Sequence, residues 1–312
     1  MSAEIVLIAN EKGGTGKTAT VLCLANALVG LGYRVLAVDF DPSGNLTHAA
    51  LPDEPECVLY DALTGARKVT DAIYHTEICD VLPTAKSLDL EIAPAETFLL
   101  AAASNRSLTE IANRLTGRVG AEVVLSRLLR NEEAGLLQSY DFILIDSAPS
   151  DNILVTNAIV AADNILIPCE PSQSGLDGVW MFMSSVAAAK RSYTHAKAEI
   201  DGVVLSKYTE DGDNYRESIR DIRNATEARG LYLYKTAMRD SKNIPHALGH
   251  YRPILSYLNV LGSGHGPVDS LNLALEFLGA RGMAPKVDFP GVQQDEKGNY
   301  FYARPGKNSK EA

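Results

Sequence analysis

Two lysines five residues apart, Lys12 and Lys17, flank a glycine-rich turn, "KGGTGKT", and a hydroxyl follows directly at Thr18. Glycines at 13, 14 and 16 let the backbone approach an anion with no Cβ in the way. Successive backbone N–H groups in such a turn converge on phosphate oxygens, and a helix starting after it adds the favourable potential of its N-terminus. Lys17 would reach the β- and γ-phosphates of a nucleotide, and the Thr18 hydroxyl would ligate Mg²⁺. The candidate nucleotide-binding run is therefore Lys12, Gly13, Gly14, Thr15, Gly16, Lys17, Thr18 and Ala19. It departs from the common G-x-x-x-x-G-K-[ST] pattern in one respect: Glu11 replaces the first glycine, and Lys12 adds a second cation.

Carboxylates complete the set. "FILID" is an apolar strand that delivers Asp146 at its C-terminal end, where open α/β sheets bind ligands, and it would hold Mg²⁺. "VLAVDFDPSGNLT" ends a second strand with Asp39 and Asp41, placed on one side by the period of two with Phe40 opposite. Asp39 joins Thr18 and Asp146 as a candidate metal ligand. Asp41 is the candidate that orients an attacking water, with a turn or N-cap carboxylate before Pro42 as the rival reading.

These residues need strands to carry them and helices to cover the strands. Candidate strands are Glu4–Ala9, Arg34–Phe40, Cys79–Leu82, Asp141–Ile145, Asn164–Pro168, Gly202–Ser206 and Leu231–Ala237. Helices are expected over Thr18–Leu31, Ala95–Arg130, Gly175–Ser192, Asn214–Arg229 and Asp269–Leu278. The alternation predicts an α/β fold, a mainly parallel twisted sheet with helices on both faces. One domain over residues 1–281 is expected, followed by a polar tail over 282–312 whose "YFY" at Tyr300–Tyr302 could pack back on the body.

Bulk properties fit a soluble chain: 312 residues, 46% hydrophobic and 22% charged, with no apolar run long enough to span a membrane and no secretory leader pattern. Four scattered cysteines (Cys23, Cys57, Cys79, Cys169) without a C-x-x-C pair are expected as free thiols in a reducing compartment. The net charge of −10 opposes nucleic-acid binding in general, yet Val186–Arg252 holds 12 Lys and Arg against 9 Asp and Glu.

"KGGTGKT" (Lys12–Thr18), "VDFDPSGNLT" (Val38–Thr47), "YDFILIDSAPS" (Tyr140–Ser150) and "TNAIVAADNILIPCEP" (Thr156–Pro171) together resemble the ParA/MinD family of deviant Walker A P-loop ATPases. "LPTAKSLDLE" (Leu82–Glu91), "GVVLSKY" (Gly202–Tyr208) and "RPILSYLN" (Arg252–Asn259) extend the similarity to roughly residues 4–280, and short partition ATPases of the ParA type look most alike. The resemblance implies ATP and Mg²⁺ as cofactors and slow hydrolysis without a partner. It also implies an ATP-dependent homodimer in which Lys12 of each copy reaches the other's phosphates, so Lys12, Lys17 and Asp41 form the catalytic set. Lys207, Met238 and Arg239 are implied as purine contacts, although "AMR" (Ala237–Arg239) and Ser43 depart from the family's usual residues. Non-specific DNA and a ParB-type adaptor are the implied partners, with a cytoplasmic, nucleoid-associated location and no membrane.

In "NYRESIRDIRNATEAR", Arg216, Arg220 and Arg223 fall on one face of a helix, and Arg239 and Lys242 follow the next strand, with Lys190 and Arg191 as further candidates. Such a stripe suits salt-sensitive phosphate contacts, but its interleaved acids equally suit a solvated face with internal pairs. Other readings within the fold are another cargo positioned on the nucleoid and a MinD-type membrane ATPase. An iron–sulfur carrier and a small-molecule kinase or amidoligase stand further off.

Overall fold

The computed structural model describes residues 2–76, 97–100, 105–115, 119–149, 152–209, 213–258 and 265–303. Eight strands form one sheet in the order β3-β4-β2-β5-β1-β6-β7-β8. They are β1 Glu4–Ile8, β2 Val35–Phe40, β3 Ile73–His75, β4 Thr97–Leu100, β5 Phe142–Ser147, β6 Asn164–Cys169, β7 Glu199–Tyr208 and β8 Met238–Arg239. Every neighbouring pair is parallel except the edge pair β3 and β4. A parallel sheet must be covered on both faces, and the inner strands read as near-continuous apolar runs for that reason. Alternate residues of β1 go to opposite cores. Ile5 and Leu7 pack with the helices Ile153–Ala161 and Gln173–Ser192, whereas Val6 and Ile8 pack with Lys17–Gly30 and Gly266–Ala280.

β1 lies at the centre, between β5 and β6. The chain leaves it into the glycine turn, and the first helix begins at Lys17 behind Gly16, whose φ of +79° is left-handed backbone that glycine adopts readily. That helix is apolar nearly all round and buried over most of its length, so the turn sits on a fixed support.

Two expectations are corrected by the sheet. Ala95–Arg130 is not one helix. Its described parts are the strand β4, a helix Asn105–Leu115, a short 3-10 turn Ala121–Val123 and a helix Val124–Leu129. "TFLL" (Thr97–Leu100) pairs with β2, and this tertiary pairing overrides the local helical composition. Leu231–Ala237 is not a strand either, since it makes one isolated bridge, Leu233 to Val203, and the strand begins at Met238. The Tyr234 amide donates to the Val203 carbonyl at 2.9 Å, but the amides that follow turn elsewhere. Lys235 and Thr236 donate to the carboxylate of Glu276 on the last helix at 2.7 and 2.9 Å, and Arg239 donates to Asp269 at 3.0 Å. The antiparallel edge strand β3 was not foreseen at all. The expected strand Cys79–Leu82 lies outside the described residues.

Residues 282–303 run back over the first and last helices. The Tyr33 hydroxyl donates to the Ala284 carbonyl at 2.5 Å, and Phe289 and Tyr302 are buried in the core shared with those helices. Val292–Gln294 and Tyr300–Tyr302 form a hairpin, and the Tyr302 amide donates to Asn272 at 2.7 Å.

The start of the central strand is tied to this layer by one cation. Arg281 bridges Glu4 at 2.7 Å and Asp201 at 3.2 Å with only 10% of its side chain exposed, and its guanidinium lies over Phe277. Removing one member of a buried ion network strands the other charges. Arg281→Ala is expected to lower the unfolding free energy by about 3 kcal/mol in a urea titration. A loss below about 1 kcal/mol would assign this cluster a surface role only.

Candidate functional site

The turn Asn10–Gly16 is stitched to its surroundings on three sides. Asn10 Nδ2 donates to the Pro168 carbonyl at 2.8 Å, and its Oδ1 accepts the Lys12 amide at 2.9 Å. The Ser206 hydroxyl at the end of β7 donates to the Thr15 carbonyl at 2.7 Å. Ser185, halfway along Gln173–Ser192, donates to the Glu11 carboxylate. Glu11, the residue that breaks the common motif, therefore anchors the loop to a helix. β1, β6, β7 and a flanking helix together fix the loop's shape.

The two lysines occupy different environments. Lys17 is buried, and its ammonium donates to the Asn10 and Lys12 carbonyls, each at 3.2 Å. Burial holds its pKa below the ordinary lysine value, against the opposing pull of the Asp146 and Asp41 carboxylates. Lys12 sits at the rim with 31% of its side chain exposed, where its ammonium meets Glu170 at 3.2 Å and Ser174 at 2.7 Å. Glu170 and Ser174 were not anticipated. The available signal was a charged residue directly after an apolar strand, at the carboxyl edge where α/β sheets place ligands.

Asp39 and Asp146 are register partners on β2 and β5, both fully buried. Burial raises both acids: Asp39 to about 6, and Asp146 well above the ordinary value, with the neighbouring Asp39 adding to the burial of Asp146. Asp146 Oδ2 accepts the Thr18 hydroxyl at 2.6 Å, while Oδ1 is buried with no hydrogen-bond partner. A buried carboxylate oxygen without a donor calls for a cation or water. Hard oxygen donors from one carboxylate and one hydroxyl suit Mg²⁺, which keeps waters and phosphate oxygens as its remaining ligands. Thr18 and Asp146 therefore fit the metal role. Asp39 is otherwise committed, because Oδ2 takes both the amide and the hydroxyl of Thr47 at 2.7 Å and Oδ1 takes the Asp41 amide at 3.3 Å. It orients the turn that carries Asp41. Asp41 is nearly buried and accepts the Ser43 amide at 2.8 Å, so the rival turn role is occupied in fact.

The implied purine contacts part company. Lys207 stands over the phosphate loop, its ammonium 3.9 Å from where a Cβ on Gly14 would lie, and its φ of +53° marks a bulge between Ser206 and Tyr208. Left-handed backbone at a non-glycine residue concentrates at functional sites. Met238 is buried, and Arg239 is bound through its guanidinium to Asp269 at 2.6 Å. Arg216, Arg220 and Arg223 are all exposed on the helix Asp213–Glu227, and Lys242 is exposed beyond β8. Glu217 and Asp221 from the same helix line a cleft against Ser172, Gln173 and Leu176, which sets the acids to one side of the arginine stripe. Lys190 pairs with Glu199 at 2.7 Å. Cys23, Cys57 and Cys169 are free and buried, and burial pushes the thiols of Cys23 and Cys169 up to about 12, which keeps them protonated and unreactive. No helix among the described residues is long and apolar enough to cross a membrane.

The raised acids have a thermodynamic consequence. A carboxyl more easily protonated folded than unfolded supplies stability that is whole below its ordinary value and is lost as pH rises through the folded one. For Asp39 that window runs from about 4 to about 6. The nucleotide-free protein in a metal chelator is therefore expected to resist urea better at pH 5.5 than at pH 7.5. Asp146→Asn should stabilise it at pH 7.5 and flatten the profile. Loss of stability in that variant at pH 7.5 would contradict the electrostatic account.

Comparison with known proteins agrees with this geometry. A family model described as "AAA domain" matches residues 3–200. The chain is 31% identical over 259 residues to the sporulation initiation inhibitor protein Soj of Bacillus subtilis (strain 168), covering 81% of this chain and 91% of Soj. It is 30% identical over 257 residues to the chromosome partitioning protein ParA of Caulobacter vibrioides, covering 81% and 86%. Among solved structures it is similar to cobyrinic acid a,c-diamide synthase from Mycobacterium smegmatis with bound ATP analog and magnesium. The TM-score there is 0.64 with 25% identity, over 80% of this chain and 91% of that one. With its glycine turn, its second lysine and the Asp146–Thr18 pair in place, the chain belongs to the ParA/MinD family of P-loop ATPases.

Proposed function

We propose that this chain is a dimerising ATPase switch. It binds ATP with Mg²⁺, pairs with a second copy in that state, binds DNA non-specifically as the pair, and drives plasmid or chromosome partition with a ParB-type adaptor. Its place is the cytoplasm, on the nucleoid. Support comes from the likeness to a chromosome partitioning protein and to a structure with an ATP analog and magnesium bound.

The observation that carries the reading is the division of labour between the lysines. One ammonium is enclosed by the loop's own carbonyls, while the other stands at the rim on acceptors outside the loop. Lys17 serves the nucleotide of its own subunit, and Lys12 is placed to serve a second one. Thr18 and Asp146 would hold Mg²⁺, which would supply neutralisation of the phosphate charge. Asp41 orients water for attack on the γ-phosphorus, the bond to the β-γ bridging oxygen breaks, and the products are ADP and phosphate. Lys17 and the partner copy's Lys12 offset the charge that develops, in the manner of an arginine finger. Loss of the γ-phosphate removes the anchor between the copies. Turnover is slow until the adaptor engages.

Sizing the protein with ATP, with ADP and without nucleotide is expected to show a dimer with ATP only. Lys12→Ala should stay monomeric with ATP and hydrolyse it at least ~100-fold more slowly than the adaptor-stimulated wild type. Normal pairing and normal turnover in that variant would overturn the reading. On the DNA side, replacing Arg216, Arg220 and Arg223 together by Glu should abolish ATP-dependent retention in a low-salt shift assay and leave dimerisation intact. Unchanged retention would move the DNA surface elsewhere.

A further inference from the structure

Lys12 is engaged on its own subunit, and its acceptors are rigidly placed. Glu170 and Ser174 belong to one short segment, the end of β6 and the first turn of the helix Gln173–Ser192. That segment is pressed against the loop. A Cβ at Gly178 would lie 2.5 Å from Asn10 Oδ1 and 3.0 Å from the Lys12 Cβ, and one at Gly175 would lie 2.1 Å from the Glu170 carbonyl oxygen. Ser172 caps the helix by accepting the Gly175 amide at 3.1 Å, and its hydroxyl lies 3.3 Å from that of Ser174. Glycine at 175 and 178 brings the backbone close, and the backbone then sets where both acceptors stand.

We propose that Glu170 and Ser174 form a latch that holds Lys12 on its own subunit, so that pairing requires the ammonium to leave them for the partner's phosphates. This rests on the reading of Lys12 as the residue that serves a second copy. Glu170 and Ser174 act as positioning residues and touch no reacting atom. The pair is weak enough to open: with 31% and 35% of the two side chains exposed, an ion pair shifts an equilibrium by no more than about five-fold. A triphosphate concentrates several negative charges and attracts the same ammonium more strongly. The latch therefore sets a threshold. Copies without a partner keep Lys12 turned onto Glu170, and pairing occurs only when two nucleotides together outbid two latches. After hydrolysis the ammonium returns to Glu170, which opposes immediate re-pairing.

Two latches open per dimer, so the effect of each is squared. Glu170→Gln, which keeps the shape and removes the charge, is expected to tighten the ATP-bound dimer about 4- to 25-fold, measured by sedimentation at saturating ATP and low salt. Ser174→Ala should shift the constant in the same direction. Raising the salt should shrink the difference between wild type and Glu170→Gln, because an exposed pair is screened. The charge-preserving variant Glu170→Asp separates the lost charge from a general packing effect: it should tighten the ATP-bound dimer less than Glu170→Gln does, and an equal gain from both would overturn the proposal. If wild type pairs on ATP and both Glu170→Gln and Ser174→Ala pair equally or more weakly, the latch alone is overturned. If wild type and both variants remain monomeric with ATP, the dimer reading fails and the latch falls with it.

Discussion

Three carboxylates and one ammonium share a nearly dry space at the carboxyl ends of β1, β2 and β5. Charges kept from water are costly unless they are paired or neutralised, and much of the nearby structure can be read as meeting that cost. Thr47 and the Asp41 amide satisfy Asp39, Thr18 satisfies half of Asp146, and loop carbonyls hold Lys17. One oxygen of Asp146 is left over. A buried carboxylate oxygen without a donor is the strongest structural sign of a cation-binding site. A sheet with a hydrophobic core on each face keeps the space dry.

The helix Gln173–Ser192 is the second organising element. Near its start it supplies Ser174 to Lys12, at its middle Ser185 grips Glu11, and between them Trp180 lies 3.9 Å under the Arg229 guanidinium just beyond the arginine-bearing helix. The nucleotide loop and the candidate DNA face are thus linked by contiguous packing through one element. Contiguity provides a route by which the state of the loop can bias the arginine helix, and coupling energies would measure how much it does.

The sequence made the central machinery legible because phosphate chemistry leaves few alternatives. Glycines, lysine and hydroxyl must occur in fixed order between a strand and a helix, and β1, the loop and the first helix fall where that order puts them. Asp146 was readable because an apolar strand ending in a carboxylate is informative about both fold and site. Contacts made through the fold were not readable. Glu170 lies 158 residues from Lys12, and no local pattern announces that two strand ends will meet. Asp39 shows the reverse problem, since composition marks a metal ligand while the structure spends its oxygens on Thr47. Leu231–Ala237 has the residues of a strand, but Glu276 on the last helix takes the Lys235 and Thr236 amides and ends its pairing after Tyr234.

That last substitution has a consequence for assembly. Amides along the β8 margin are occupied by Glu276 and Asp269, so another polypeptide finds few donors there to continue the sheet. Copies of this chain brought close together are thereby shielded on this flank from pairing edge to edge.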